Sequence, residues 1–119
     1  MNDQLYRQNI IDHYKNPRNV GELTSENNTV ACSNITCGDE TKVSVKVKSG
    51  KISEIKHQTI GCAISVASIS ILSEELVGMD TEKVKKMDKD AVQEILGIEI
   101  TPSRLKCAML GLEAIKKAL

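Results

Sequence analysis

The chain has no tryptophan, no phenylalanine and only two tyrosines among its 119 residues. A surface that stacks nucleic-acid bases needs aromatic faces, so this composition argues against such a function. Excess charge of either sign is also missing, since 16 basic residues balance 16 acidic ones. Bulk attraction to nucleic acid or to an acidic membrane is therefore not expected. No apolar run approaches the roughly 20 residues that span a bilayer. The opening Met1-Asn2-Asp3-Gln4 has none of the basic, apolar and small-residue order of a secretory signal. A cytoplasmic protein with reduced thiols is the expectation. No Cys-x-x-Cys pair occurs among the four cysteines, which excludes zinc-ribbon and zinc-finger spacing. The length fits one domain, residues 1–119, with a core of Ile, Leu, Val, Ala and Met.

Helical spacing of Tyr6, Ile10, His13 and Tyr14 predicts a first helix over about residues 4–15, with Asp3 as its cap. Asn16-Pro17 stops it, because the residue before proline avoids the helical region. Residues 16–28 read as a loop, and Val30-Ala31-Cys32 as a short strand. Residues 42–48 alternate valine with polar residues, which predicts a strand with one solvated face. Ser49-Gly50 is a turn, and a second strand over 51–60 returns antiparallel with a bulge between Ile52 and Ile55. Residues 64–77 leave strand and helix both open. Residues 81–96 read as one or two short helices with Thr81 and Asp88 as caps, closed by Gly97. Thr101-Pro102 opens a last helix with a buried stripe of Leu105, Ala108, Met109, Leu112, Ile115 and Leu119. Cys107 falls off that stripe, beside Gly111, Ala114 and Ala118.

Three cysteines sit near element ends, where reactive or metal-binding thiols are found. Cys37 precedes Gly38, which permits close backbone approach, and Asp39, which offers a carboxylate. Cys62 follows Gly61 and stands where a helix would open, so the helix N-terminus favours its thiolate. Cys107 lies in the first turns of the last helix, flanked by Arg104 and Lys106, which also favour a thiolate. Three thiolates and a carboxylate suit a soft metal such as iron or zinc. Cys32 is expected to pack in the core, with an accessory persulfide role open. His13 is expected to be packed or partly exposed, and His57, mid-strand, to be at the surface.

At these residues the chain resembles the U-type iron–sulfur scaffold family, which comprises IscU, SufU and the N-terminal domain of NifU. Tyr6 and Asp12-His13-Tyr14-Lys15-Asn16-Pro17-Arg18-Asn19-Val20-Gly21 resemble its N-terminal signature. Thr36-Cys37-Gly38-Asp39, Gly61-Cys62-Ala63-Ile64-Ser65 and Arg104-Leu105-Lys106-Cys107-Ala108 resemble its three ligand motifs, in order. The resemblance implies an α+β fold with a three-stranded antiparallel sheet packed against several helices, and makes residues 64–77 a helix. It also implies a scaffold that takes persulfide sulfur from a cysteine desulfurase. The scaffold builds a [2Fe–2S] cluster on Cys37, Asp39, Cys62 and Cys107, and passes it to recipient apoproteins. Cys107 is then the persulfide acceptor, and a cluster shared between protomers would give a homo-oligomer.

Two features depart from the IscU branch. Lys106 stands where that branch has histidine. Ile100-Thr101-Pro102-Ser103-Arg104 replaces the segment that an Hsp70-type chaperone recognises, so the resemblance does not extend to chaperone dependence. The pattern Pro102-x-Arg104-x-Lys106-Cys107-Ala108 is similar to the SufU branch. That branch implies a zinc-dependent sulfurtransferase, with zinc on the same four groups and Cys37 as acceptor. The short stretch from 63 to 106 between the second and third cysteines is of IscU length. Arg104 and Lys106 are expected to modulate the site.

Overall fold

The computed structural model describes residues 3–23, 28–34 and 38–119. The elements run α1 (Asp3–Lys15), β1 (Asn28–Asn34), β2 (Asp39–Lys48), β3 (Lys51–Ile60), α2 (Ala63–Glu75), α3 (Thr81–Lys85), α4 (Lys89–Leu96) and α5 (Pro102–Ala118). The three strands form one antiparallel sheet in the order β1-β2-β3. This is the α+β arrangement that the family resemblance implies.

The β2–β3 hairpin closes on the two-residue turn Ser49-Gly50, with φ of 55° and 76°. Two consecutive positive φ values are those of a turn whose twist matches the strands, and glycine takes the second without strain. The predicted bulge is present. Lys46 pairs with Glu54 but Val47 pairs with Ile52, which leaves Ser53 as the extra residue. That insertion lets Ile52 and Ile55 both be buried although they are three residues apart.

Val43, Val45 and Ile55 share the inner face of the sheet, under α2 and α5. His57 is a correction to the sequence reading. It pairs directly with Val43, so strand parity turns it inward, and it is 1% exposed. Its Nε2 lies 2.7 Å from the Arg18 carbonyl oxygen and its Nδ1 3.3 Å from Thr59 Oγ1. The predicted loop around Arg18 in fact lies along β3. His57 N–H donates to Asn19 O, Gly21 N–H donates to His57 O, and Val20 bridges to His57 in parallel. Val47 is another exception, exposed at the hairpin end beyond the bulge. On the outer face Lys42, Lys46 and Lys48 are exposed as expected, but Ser44 is buried beside Thr29.

The segment that left strand and helix open is helical. Its pattern misleads because α2 is buried nearly all round, so a serine needs no wet side. Each buried serine is tied to another element or to the helix itself. Ser68 Oγ donates to Ala108 O at 2.7 Å, and Ser73 Oγ donates to Ser70 O at 2.7 Å. Ser70 Oγ accepts Arg18 N–H at 2.8 Å and lies 2.7 Å from His13 Nδ1. His13 is thus packed, with its other nitrogen 3.6 Å from Glu74.

Three helix details also differ from expectation. Helix α1 begins at Asp3, so the predicted cap is its first residue, and Tyr14 is exposed. Asp88 does cap α4, accepting from Asp90 N–H and Ala91 N–H, but α3 is preceded by Asp80, with Thr81 already helical. On α5 Ala108, Leu112 and Ile115 are buried as expected, but the buried face extends toward the small residues. Cys107, Gly111, Ala114 and Ala118 are buried, while Leu105, Met109 and Leu119 are only half-buried. The small residues let α5 approach α2 closely, and a Cβ on Gly111 would stand 2.8 Å from Ile69 Cδ1 and 2.9 Å from Ile69 Cβ.

Overpacking at that contact should cost about 1–3 kcal/mol, so Gly111→Ala should lower the urea midpoint, and Ile69→Val should recover part of the loss. A second expectation concerns pH. Burial holds the His57 pKa below the ordinary histidine value, against the opposing pull of the Arg18 carbonyl, and Lys56 adds to the depression. Burial likewise lowers His13, with Arg18 adding to it against Glu74 and Asp12. The unfolded chain therefore takes up these protons first. Stability is full above the unfolded value of about 6.5 and falls as pH drops from there toward the folded values. Melting midpoints measured from about pH 8 down to about pH 5 should decline, and less steeply in His57→Gln.

Candidate metal centre

The centre is built on the N-terminus of α2. Strand β3 ends at Ile60, Gly61 follows, and Cys62 is the N-cap in extended conformation with φ −72° and ψ 169°. A helix start leaves backbone N–H groups without helical partners. Asp39, the first residue of β2, supplies an acceptor. Glu40 pairs with Ile60, which sets Asp39 beside Gly61 and Cys62. Asp39 Oδ1 accepts the Cys62 N–H at 3.0 Å, and Oδ2 accepts the Ser65 hydroxyl at 2.6 Å. The carboxylate is 1% exposed. A Cβ on Gly61 would collide with it, so close approach is a property of Gly61. Gly38 was expected to serve that purpose, but it has open space around it and a φ of 71°, the left-handed region that glycine favours.

Cys107 reaches the same point from the second turn of α5 and is fully buried. One ligand atom each from Asp39, Cys62 and Cys107 lie within 4.8 Å of one another. The sequence motifs thus converge from three elements. Cys37 lies outside the described residues, two positions before Asp39. Arg104, exposed, faces both the Cys62 and Cys107 thiols. It is three residues before Cys107 and so shares its helix face. Lys106 is exposed; a helix turns about 100° per residue, which directs it away from Cys107. His13 and His57 are engaged elsewhere, and Cys32 packs against the edge of the core and is half-buried.

The electrostatics favour anionic donors. Burial pushes the Asp39 carboxyl upward, but hydrogen bonds from Ser65, Cys107 and the Cys62 N–H, with the Arg104 charge, outweigh it and leave the group below its ordinary value. For Cys62, burial again acts upward. The Ser65 N–H, Cys107 and the Ile64 N–H act against it, and this thiol too titrates below its ordinary range. The helix dipole acts in the same sense. Two sulfurs and a carboxylate oxygen in such proximity fit a soft or borderline cation, or the edge of a small iron–sulfur cluster. Ser65 and Gly61 lie in the motif Gly61-Cys62-Ala63-Ile64-Ser65, which by itself assigns them no role. The signal was available, since Ser65 is the third residue of a helix opened by Cys62, where side chains meet capping groups.

Residues 5–119 match the model of the NifU-like N terminal domain, and the chain belongs to that family. It is 35% identical over 115 residues to the iron-sulfur cluster assembly scaffold protein IscU 1 of Archaeoglobus fulgidus, covering 97% of this chain and 74% of the relative. It is 34% identical over 134 aligned residues to the zinc-dependent sulfurtransferase SufU of Bacillus subtilis, covering 98% and 90%. Among solved structures it is similar to FiSufU, a candidate scaffold of the SUF system from Fervidobacterium islandicum AW-1. The TM-score is 0.79 at 22% identity, with 99% of this chain and 98% of that one covered, a likeness that concerns the fold alone. Among the described residues no helix is long and apolar enough to cross a membrane.

The lowered Cys62 thiol should be alkylated by iodoacetamide at neutral pH faster than Cys32, although both are half-buried, resolved peptide by peptide in a mass spectrometer. Arg104→Gln should slow Cys62 labelling several-fold and shift its pH profile upward, because it removes the cation facing both thiols.

Proposed function

We propose that this single-domain chain is a scaffold for iron–sulfur cluster assembly, working in the cytoplasm and not itself an enzyme. The observation that carries the reading is the convergence of Asp39, Cys62 and Cys107 on one point at the start of α2. Cys37, two residues from Asp39, completes the donor set. The cluster is cargo here, a [2Fe–2S] unit built on these groups and handed to recipient apoproteins. A homo-oligomer follows if protomers share it.

Sulfur arrives from a cysteine desulfurase. An acceptor thiolate attacks the outer sulfur of the donor's persulfide, a new S–S bond forms, the old one breaks, and the donor leaves as a thiolate. Cys107 is the acceptor on this reading. Arg104, facing the thiols, balances the charge of the thiolates. A carboxylate is a weaker partner for iron than a thiolate, so Asp39 is the point at which cargo exchanges.

A second reading is a zinc-dependent sulfurtransferase that relays persulfide sulfur through Cys37, with zinc on the same four groups. The Bacillus subtilis relative, matched over nearly the whole of both chains, supports it. Lys106, at the position where the IscU branch has histidine, supports it as well.

Anaerobic purification followed by metal, sulfide and visible-absorption measurements separates the two. Iron and sulfide in equal amounts, with charge-transfer bands lost in Cys62→Ala, are expected. Stoichiometric zinc in a colourless protein that stimulates a desulfurase would select the sulfur relay. On the scaffold reading Asp39→Ala should lengthen the half-life of the cluster under chelator challenge, and an equal or shorter half-life would contradict the exchange role.

A further inference from the structure

Both oxygens of the Asp39 carboxylate are engaged by the protein itself. Oδ1 takes the Cys62 backbone N–H and Oδ2 takes the Ser65 hydroxyl, while Gly61 walls the group without room for a Cβ. Ser65 is 2% exposed, so its hydroxyl has little water to turn to. A hydroxyl carries one proton, and at 2.6 Å that proton goes to the carboxylate, which when ionised can only accept. Toward Cys62 Sγ, 3.5 Å away, the same oxygen can only accept. A thiolate that binds metal has no proton to give, so that contact lapses on loading. The bond to Asp39 does not depend on it.

Cys107 also hydrogen-bonds the carboxylate, but a metal-bound thiolate has no proton for that contact either. The hydrogen bond from the Cys62 N–H alone would leave the carboxylate able to swivel about its Cβ–Cγ bond. A second, on the other oxygen, stops that rotation. We infer that Ser65 is a positioning residue, whose hydroxyl locks the Asp39 carboxylate in the orientation that it offers to a metal beside Cys62 and Cys107. The inference rests on the metal-site reading proposed above. It assigns Ser65 no bond to the metal, and its effect passes wholly through Asp39.

The test uses Zn²⁺ alone, with affinity measured by chelator competition, and Co²⁺ as an optical probe of ligand geometry. Ser65→Ala should weaken Zn²⁺ binding roughly 10- to 100-fold, the usual loss when a ligand's hydrogen-bonding partner is removed. It should also change the Co²⁺ ligand-field bands, and Ser65→Thr, which keeps the hydroxyl, should restore both. In an Asp39→Ala background, where the thiols alone hold Zn²⁺, adding Ser65→Ala should change nothing. Unchanged affinity and spectrum in Ser65→Ala would overturn the inference alone. An equal loss in the Asp39→Ala background would do the same, since Ser65 would then act on Cys62 or on the fold. A wild-type chain that binds neither Zn²⁺ nor iron would remove the metal-site reading and this inference with it.

Discussion

The hydrogen bond from the Cys62 N–H to Asp39 is the constraint on which the site depends. It joins the start of β2 to the start of α2, and so ties sheet to helix at the place where the donors meet. In a capping box a side chain within the helix satisfies the N-cap N–H. Here the acceptor comes from another element, and the residue three places into the helix, Ser65, bonds to that acceptor. The same contacts that finish the helix hold the carboxylate next to two thiols. Capping and ligand placement are therefore one structure, and a change at Asp39 acts on both.

The rest of the fold serves that junction by keeping α2 fixed from every side. Its serines are buried among apolar neighbours, which costs free energy unless each hydroxyl finds a partner. Each does. Ser65 reaches the sheet, Ser68 reaches α5, Ser70 reaches α1 and the Arg18 segment, and Ser73 reaches Asn19. On the opposite flank, Gly111 brings α5 against Ile69, which carries Cys107 to the N-terminus of α2. Small and hydroxylated residues thus do the positioning that aromatics do in many cores. That agrees with a chain that has almost no aromatics.

Regular strands and capped helices were legible because each obeys a local rule. The β2–β3 hairpin follows from alternation and a Ser-Gly turn, the bulge from a slip in that alternation, and α5 from Thr-Pro. The segment 64–77 was not legible from periodicity, since a helix buried on all sides loses its polar stripe. His57 was misplaced because the loop that covers it is remote in sequence. On α5 the stripe through Ala108, Leu112 and Ile115 is buried as its spacing predicts, but close packing against α2 extends the buried face to Cys107, Gly111, Ala114 and Ala118.

For the site, the sequence by itself determined the candidate donors: cysteine thiols and a carboxylate in motifs that resemble one family, in order along the chain. Ligand chemistry belongs to residue type and needs no coordinates. Only the tertiary structure decided that Asp39, Cys62 and Cys107 share one point, that Gly61 makes the room and that Ser65 holds the carboxylate. It also set Arg104 against the thiols. Those facts are distances between residues remote in sequence, set by strand register and by how closely two helices pack, and no local pattern encodes them.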